Sequence, residues 1–242
     1  MNFFTIIIMW NSLSHKKWRI IFKSHENKMT PFNHNHLDYY SFILVYDNKV
    51  VLNDSGGSSY DRKLKDINAR LPEYHNSIRI KGLGYKPDDT RYFTNRYIDC
   101  VFDTRINKNT DHMEISLMSS GFNRIDADIS FTRLIRIYES TVVISDNSFS
   151  NKEYPIEHYF HFPVNSKIKS SNSCIDIKTN ELKIKMISHC EGKIILNENK
   201  NLQHFAERYG QKLLKNYVKI NSDISKYKPV SYTIGIIDPC VE

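Results

Sequence analysis

Residues with metal-binding and acid–base chemistry are concentrated between positions 34 and 75. His34 and His36 are one residue apart, Asp54 follows a hydrophobic hairpin, and His75 follows an irregular polar loop. In a strand, His34 and His36 would point to the same side, and the hairpin would return Asp54 beside His36. Two imidazoles and a carboxylate suit Zn²⁺, with a fourth position left for water or ligand. The spacing therefore predicts a zinc site, although a set of surface or hydrogen-bonded histidines would give the same pattern.

The elements that must position these residues read mainly as β-strands. Period-two alternation of apolar and polar residues predicts strands or hairpins within 41–54, 77–81, 92–102, 113–118, 134–144, 158–162, 175–177, 182–187, 193–196 and 232–237. Helical periodicity is confined to 201–214, where one helix is predicted. Many short strands joined by short turns predict an all-β fold, an antiparallel β-sandwich with few helices.

The composition limits the class of protein and its partners. The chain has 242 residues and a formal net charge of +7, and a basic surface attracts polyanions such as acidic polysaccharide. A basic surface that is merely solvated is the alternative. No zinc-finger spacing or RNA-recognition motif is present, so nucleic acid is not predicted as a partner. The apolar run over 1–10 is too short to span a bilayer and lacks the features of a signal peptide, so it predicts a buried strand.

Several longer runs resemble one protein family. The run HNHLDYYSFILVYDNKVVLNDSGGSSYD, followed by RLPEYHNSIRI, resembles the signature of heparinase II/III-like proteins. The runs FTRLIRIYESTVVISDNSF and EHYFHFP resemble later strands of the same family. The resemblance implies the C-terminal antiparallel β-sandwich of a polysaccharide lyase, here over 18–238, preceded by an N-terminal strand or remnant over 1–17. Such lyases cleave uronic-acid polysaccharides, such as the glycosaminoglycan heparan sulfate or alginate, by β-elimination.

The family motif also implies roles for individual residues. By that resemblance the ligands of a zinc ion are His36, Asp54 and His75. His34 would face the substrate groove as a catalytic residue. From its own position in the chain, Tyr60 is the second candidate for a catalytic role. Tyr60 lies in the loop between the metal ligands, where a packed aromatic is the alternative reading and Tyr74 is a rival for the catalytic role.

A second group of residues is expected to contact or support the substrate. The resemblance implies this role for Asn33, Arg70 and Asn76. His158 and His161 lie on a predicted aromatic strand, and we expect them at a sheet edge without a role in the site.

The chain departs from the family pattern in one respect. The motif begins at residue 33, whereas in the family a helical toroid domain precedes it. We therefore expect that toroid to be absent here or to be a separately encoded partner, and the isolated chain to be a weak or inactive enzyme. The alternative function is a non-catalytic, zinc-stabilised module that binds acidic glycans. The family suggests a periplasmic or secreted protein, yet no signal peptide is evident.

Overall fold

The described part of the molecule is almost entirely β-structure. A computed structural model describes residues 10–24, 36–55, 71–85, 101–197, 203–205, 213–224 and 229–237. Within these ranges all strand pairs are antiparallel, and two short 3-10 helices occur at Pro72–Tyr74 and Ser120–Arg124. The predicted all-β, antiparallel class is confirmed. None of the helices in these ranges has the length and apolar character needed to cross a membrane.

The strands, numbered in chain order, form three sheets. The four-stranded sheet has the order β1 (Trp10–His15), β2 (Trp18–Lys23), β3 (Phe42–Tyr46) and β4 (Lys49–Leu52). The five-stranded sheet has the order β14 (Lys193–Leu196), β16 (Leu213–Ile224), β10 (Tyr154–Val164) and β5 (Ile78–Ile80), with the short β15 (His204–Phe205) paired to β16. The eight-stranded sheet has the order β11 (Lys167–Ser171), β12 (Cys174–Lys178), β13 (Lys183–Ser188), β17 (Val230–Ile237), β9 (Thr141–Phe149), β8 (Ser130–Ile137), β7 (Met113–Ser119) and β6 (Phe102–Lys108).

The β3–β4 hairpin shows how local sequence sets local structure. Its two turn residues, Asp47 and Asn48, have φ angles of 48° and 60°. Aspartate and asparagine tolerate this left-handed conformation, and such a turn matches the right-handed twist of the paired strands. The hairpin predicted over 41–54 is therefore confirmed, and it returns the chain to the start of β3 at Asp54.

One apolar core joins the three sheets into a sandwich. Strands of the eight-stranded sheet alternate between buried and exposed residues, as β8 and β9 show, so one face of that sheet is apolar. It packs against residues of the other two sheets in a single cluster. Fully or almost fully buried members of this cluster include Trp18, Phe22, Leu44, Ile78, Ile144, Ile156, Phe160, Val218, Tyr232 and Ile234.

Three charged or polar side chains interrupt this core on the inward-facing positions. Arg133 of β8 donates from Nε and Nη2 to the two carboxylate oxygens of Asp146 on β9, both at 2.7 Å. His158 of β10 bonds the same carboxylate through Nδ1 at 2.8 Å. All three residues are fully buried. Burial alone would raise the pKa of Asp146, but the charge of Arg133 holds it at about 2.

The remaining nitrogen of Arg133 connects this network to two loops. Nη1 donates to the carbonyl oxygens of Tyr40 and Asn76, each at 2.8 Å. A buried guanidinium must have its donors satisfied, so these carbonyls are held in fixed positions. The network therefore ties the eight-stranded sheet to β10 and to the segments that precede β3 and β5.

Three sequence-based expectations about secondary structure are wrong or fall outside the described residues. The helix predicted over 201–214 is not formed in its described part, because 204–205 is a strand and Leu213 begins β16. That strand is held between β14 and β10 by ladder hydrogen bonds, which outweigh its helical periodicity.

In the run predicted as a buried strand, residues 1–9 lie outside the described part, and Trp10 is 38% exposed on the outermost strand of its sheet. Most of the strand predicted over 92–102 also lies outside it.

We predict that Asp146→Ala lowers the free energy of unfolding by about 3–5 kcal/mol, because it leaves the Arg133 charge buried without its partner. Denaturant unfolding followed by tryptophan fluorescence measures the loss. The exposed Asp111 is the matched control, and Asp111→Ala should change stability by less than about 0.5 kcal/mol. Equal effects of the two substitutions would contradict the role given to the buried network.

Candidate functional site

The three predicted metal ligands come from three separate segments. His36 lies in the irregular segment that precedes β3, Asp54 follows β4, and His75 directly follows the 3-10 helix. The expectation that His36 sits in a strand is wrong. Residues 37–41 are all buried in succession, whereas a strand covered on one face would alternate, so this segment is a packed loop.

These three side chains lie against one another. His75 donates from Nδ1 to Asp54 Oδ2 at 2.8 Å, and the ring centres of His36 and His75 are 5.2 Å apart. Ser41 donates from its hydroxyl to the same Asp54 oxygen at 3.3 Å. His75 is fully buried, and its Nε2 has no hydrogen-bond partner in the part of the chain that the structure describes. The hairpin and the loop after it thus bring together the residues that the sequence singled out.

The two histidines of this cluster differ in their affinity for a proton. Burial, followed by the nearby charge of His75, lowers the pKa of His36 to about 4. Burial would also lower the pKa of His75, but the charge of Asp54 and their hydrogen bond outweigh it, so that pKa is raised. His36 is therefore a neutral imidazole near pH 7, and His75 is the more basic of the two.

A buried lysine that sequence reasoning missed supports both ends of the cluster. Lys215 of β16 is 1% exposed and donates from Nζ to the Ser55 hydroxyl at 2.6 Å. Ser55 in turn donates to the carbonyl oxygen of Tyr74. Because Ser55 follows Asp54 and Tyr74 precedes His75, this chain of hydrogen bonds fixes the backbone beside two predicted ligands. Burial lowers the pKa of Lys215 to about 7, against the opposing charge of Asp54.

Asn76 has a different environment from the one expected of a substrate-binding residue. It is fully buried, and its Nδ2 donates to the carbonyl oxygens of Phe42 and Asn53 at 2.7 and 2.8 Å. Its Oδ1 accepts from the backbone N–H of His161 at 2.7 Å. The side chain therefore joins the four-stranded sheet to β10 and is already committed to the protein, which makes Asn76 a positioning residue.

The two histidines of β10 also differ from expectation. His158 and His161 were expected at a sheet edge, but β10 lies between β16 and β5, and both side chains are fully buried. His161 Nε2 donates to the carbonyl oxygen of Glu73 at 2.8 Å, and its ring stacks on Tyr217. Burial lowers its pKa well below the usual value. His161 thus packs beneath the 3-10 helix that leads to His75.

The arrangement fits a metal ion only after side-chain adjustment. Among the described residues, no group of three or more His, Cys, Asp and Glu side chains is already arranged to hold one, and His75 Nδ1 is bonded to the Asp54 carboxylate. For all three residues to hold one ion, the hydrogen bond between His75 Nδ1 and Asp54 would have to give way to bonds from both side chains to the metal. The neutral imidazole of His36 fits a ligand role. The other predicted site residues lie outside the described part of the chain: Asn33, His34, Tyr60 and Arg70.

Comparison with known families identifies the fold and its relatives. Residues 8–219 match the model of the heparinase II/III-like C-terminal domain. The chain belongs to the heparinase II/III-like family. The resemblance first noted in its sequence is thereby confirmed, and with it the relation to polysaccharide lyases. No curated protein matches the sequence.

Solved structures with the same fold include heparinases of this family. Heparan sulfate lyase HepC (a mutant) from Pedobacter heparinus is 10% identical, with a TM-score of 0.67 over 91% of this chain and 33% of that one. The BT4657 heparinase III with methylated lysines is 13% identical, with a TM-score of 0.70 over 93% and 35%. The chain thus spans about a third of the length of these heparinases. Slr1438 from Synechocystis sp. PCC 6803 is 8% identical, with a TM-score of 0.53 over 98% of both chains.

We expect Asn76→Ala to destabilise the protein by about 3 kcal/mol, because it removes the side-chain partner of two buried backbone groups and one partly buried one, and an unpaired buried group costs about 1–3 kcal/mol. Urea unfolding measures the effect. Asn107→Ala on the exposed face of β6 is the control and should stay within about 0.5 kcal/mol of the parent protein. Unchanged stability of Asn76→Ala, together with weaker binding of a uronate oligosaccharide, would instead favour the substrate-binding role.

Proposed function

We propose that this protein contributes to the cleavage of a uronate-containing acidic polysaccharide by β-elimination, as the β-sandwich portion of a polysaccharide lyase. The observation that carries the proposal is the convergence of His36, Asp54 and His75, in a member of the heparinase II/III-like family. The net charge of +7 supports an acidic polymer as the substrate.

The reaction requires three chemical contributions from the protein. The uronate carboxylate must be neutralised, so that removal of the adjacent proton does not build an intolerable negative charge. A base must take that proton, and an acid must protonate the departing glycosidic oxygen. We assign the acid–base roles to His34 and Tyr60, and contacts to the sugar to Asn33 and Arg70. A helical toroid domain would complete the other wall of the cleft.

We further propose that His36, Asp54 and His75 hold a Zn²⁺ ion. The close approach of the three side chains and the neutral state of His36 support this assignment. When bound, the ion would link three segments of the chain and add positive charge near the place where the uronate carboxylate is neutralised. The protein itself, through the hydrogen bond from Ser41, would hold these side chains on a fixed backbone.

Turnover of uronate polymers tests the lyase function. Without a helical toroid domain, the purified chain should form unsaturated uronate products from heparan sulfate or alginate only slowly, because the uronate carboxylate would be held and neutralised from one wall of the cleft alone. Ultraviolet absorbance of the products measures turnover, and adding a helical toroid domain should raise it. His34→Ala should abolish the activity while leaving metal binding intact.

Absence of elimination products from every uronate polymer, with and without the toroid domain, would contradict the lyase function. Binding of the same polymers without cleavage would then favour the non-catalytic glycan-binding module. Rapid turnover by the chain alone would mean that the sandwich holds a complete active site, contrary to the expected weak activity.

Thermal stability in the presence of zinc tests the metal site. Zinc should raise the melting temperature, since an ion bound only by the folded state stabilises it. His36→Ala should abolish this rise, whereas the exposed control His189→Ala should retain it. Because the pKa of His75 is raised, a proton competes with the metal there, so affinity should weaken by about tenfold per pH unit as the pH falls below that pKa. The proton on His36 should compete only near pH 4. An unchanged melting temperature with zinc would contradict the metal site.

A further inference from the structure

The solvent-facing side of the eight-stranded sheet carries a cluster of lysines that the site described above does not use. Three of them occupy directly opposed positions on three neighbouring strands: Lys167 on β11, Lys178 on β12 and Lys183 on β13. Opposed residues in an antiparallel sheet share a face, and neighbouring strands are about 4.8 Å apart. All three side chains are exposed. The three positions therefore form a straight row of positive charge across the sheet.

A second row lies two residues further along the same strands. It contains Lys169, Asp176 and Lys185, which are again directly opposed and exposed. Asp176 lies 3.9 Å from Lys185, a loose contact between exposed groups. Five positive charges and one negative charge leave this face of β11–β13 with a net charge of +4. The two rows are called the lysine platform below.

The platform is unfavourable for the fold taken alone. Like charges placed directly opposite each other on a sheet repel and destabilise it, and the first row has three in succession. Its inward neighbours are apolar and buried, among them Ile175, Ile177 and Ile184, so the core does not require lysine on the outer face. In addition, β11 is the outermost strand of this sheet within the described residues.

We propose that the lysine platform is a second binding surface for acidic polysaccharide, separate from the histidine–aspartate cluster. The inference deepens the proposed function and rests on it for the class of polymer. The lysines belong to the eight-stranded sheet, whereas the predicted metal ligands flank strands of the other two sheets. A long anionic chain held on the platform is kept at high local concentration near the protein, independently of whether its uronate occupies the cleft.

The chemistry of the platform favours a glycan over a nucleic acid. Lysine ammonium groups act as point charges toward carboxylates and sulfates. Surfaces that bind single-stranded nucleic acid combine positive charge with aromatic side chains that stack on bases. The outward positions of β11–β13 contain no aromatic residue; apart from the charged residues they are Ser171, Cys174 and Ile187.

The test compares two triple variants of the purified protein for binding to heparan sulfate. The first variant carries Lys167→Gln, Lys178→Gln and Lys183→Gln. It removes the three lysines of the first row and is called the row variant. The control, Lys16→Gln, Lys108→Gln and Lys193→Gln, removes the same charge from three scattered exposed positions. We expect affinity at low salt to fall by about tenfold in the row variant and by less than about twofold in the control. Added salt should weaken the binding of heparan sulfate to the parent protein. It should also reduce the difference in affinity between the parent protein and the row variant.

Thermal unfolding of the same samples separates binding from folding. The row variant should melt at the same temperature as the parent protein or higher, because opposed like charges have been removed. Equal losses of affinity in the two variants would overturn the proposal, as would tighter binding of single-stranded DNA than of heparan sulfate at equal salt. The outcome does not depend on turnover: loss of affinity confined to the row variant supports the platform even if no elimination product forms.

Discussion

The buried guanidinium of Arg133 is the interaction on which the arrangement of the site depends. A charge in an apolar core is tolerated only when its donors are satisfied. Here Arg133 bonds Asp146 twice and also holds the carbonyls of Tyr40 and Asn76. One of these carbonyls lies four residues after His36, and the other follows His75 directly. The sandwich core and the geometry of the site are therefore set by the same side chain.

Around this anchor, the polar groups of the site are fixed by the protein at several points. Asn76 joins β3, β4 and β10, and the chain from Lys215 through Ser55 to Tyr74 fixes the backbone on the far side of the cluster. Such support favours a function that needs precise placement of side chains, since a site held by packed, hydrogen-bonded neighbours does not have to be assembled when a ligand arrives. The exposed lysine platform has no comparable support, as suits a surface that captures a flexible polymer by charge.

Much of the fold was predictable from the sequence, because alternation reports directly on which face of a strand is buried. The turn at Asp47 and Asn48 and the strand pair β8–β9 follow from such patterns. Alternation also places Arg133 on the same face as the buried Phe131 and Ile135. This position indicates a buried charge, but assigning the strand does not by itself reveal it. Strand β16 was missed because its tertiary pairing outweighs a weak helical periodicity.

The candidate site was predictable only in part. The spacing of His36, Asp54 and His75 and the hairpin between them predict that the three converge, and they do. The segment before β3 could not be recognised as a loop, because the spacing of His34 and His36 also fits a strand that carries both side chains on one face. Lys215 could not be assigned to the site, since it lies 160 residues from Ser55 along the chain and only the pairing of β16 with β10 brings it there.

The most direct test of the account is a crystal structure of the zinc-treated protein with anomalous diffraction measured at the zinc edge. We expect one strong zinc peak bounded by His36, Asp54 and His75, with Arg133 still bonded to the carbonyls of Tyr40 and Asn76. A zinc peak elsewhere, or three side chains that remain as they are with no metal between them, would contradict it.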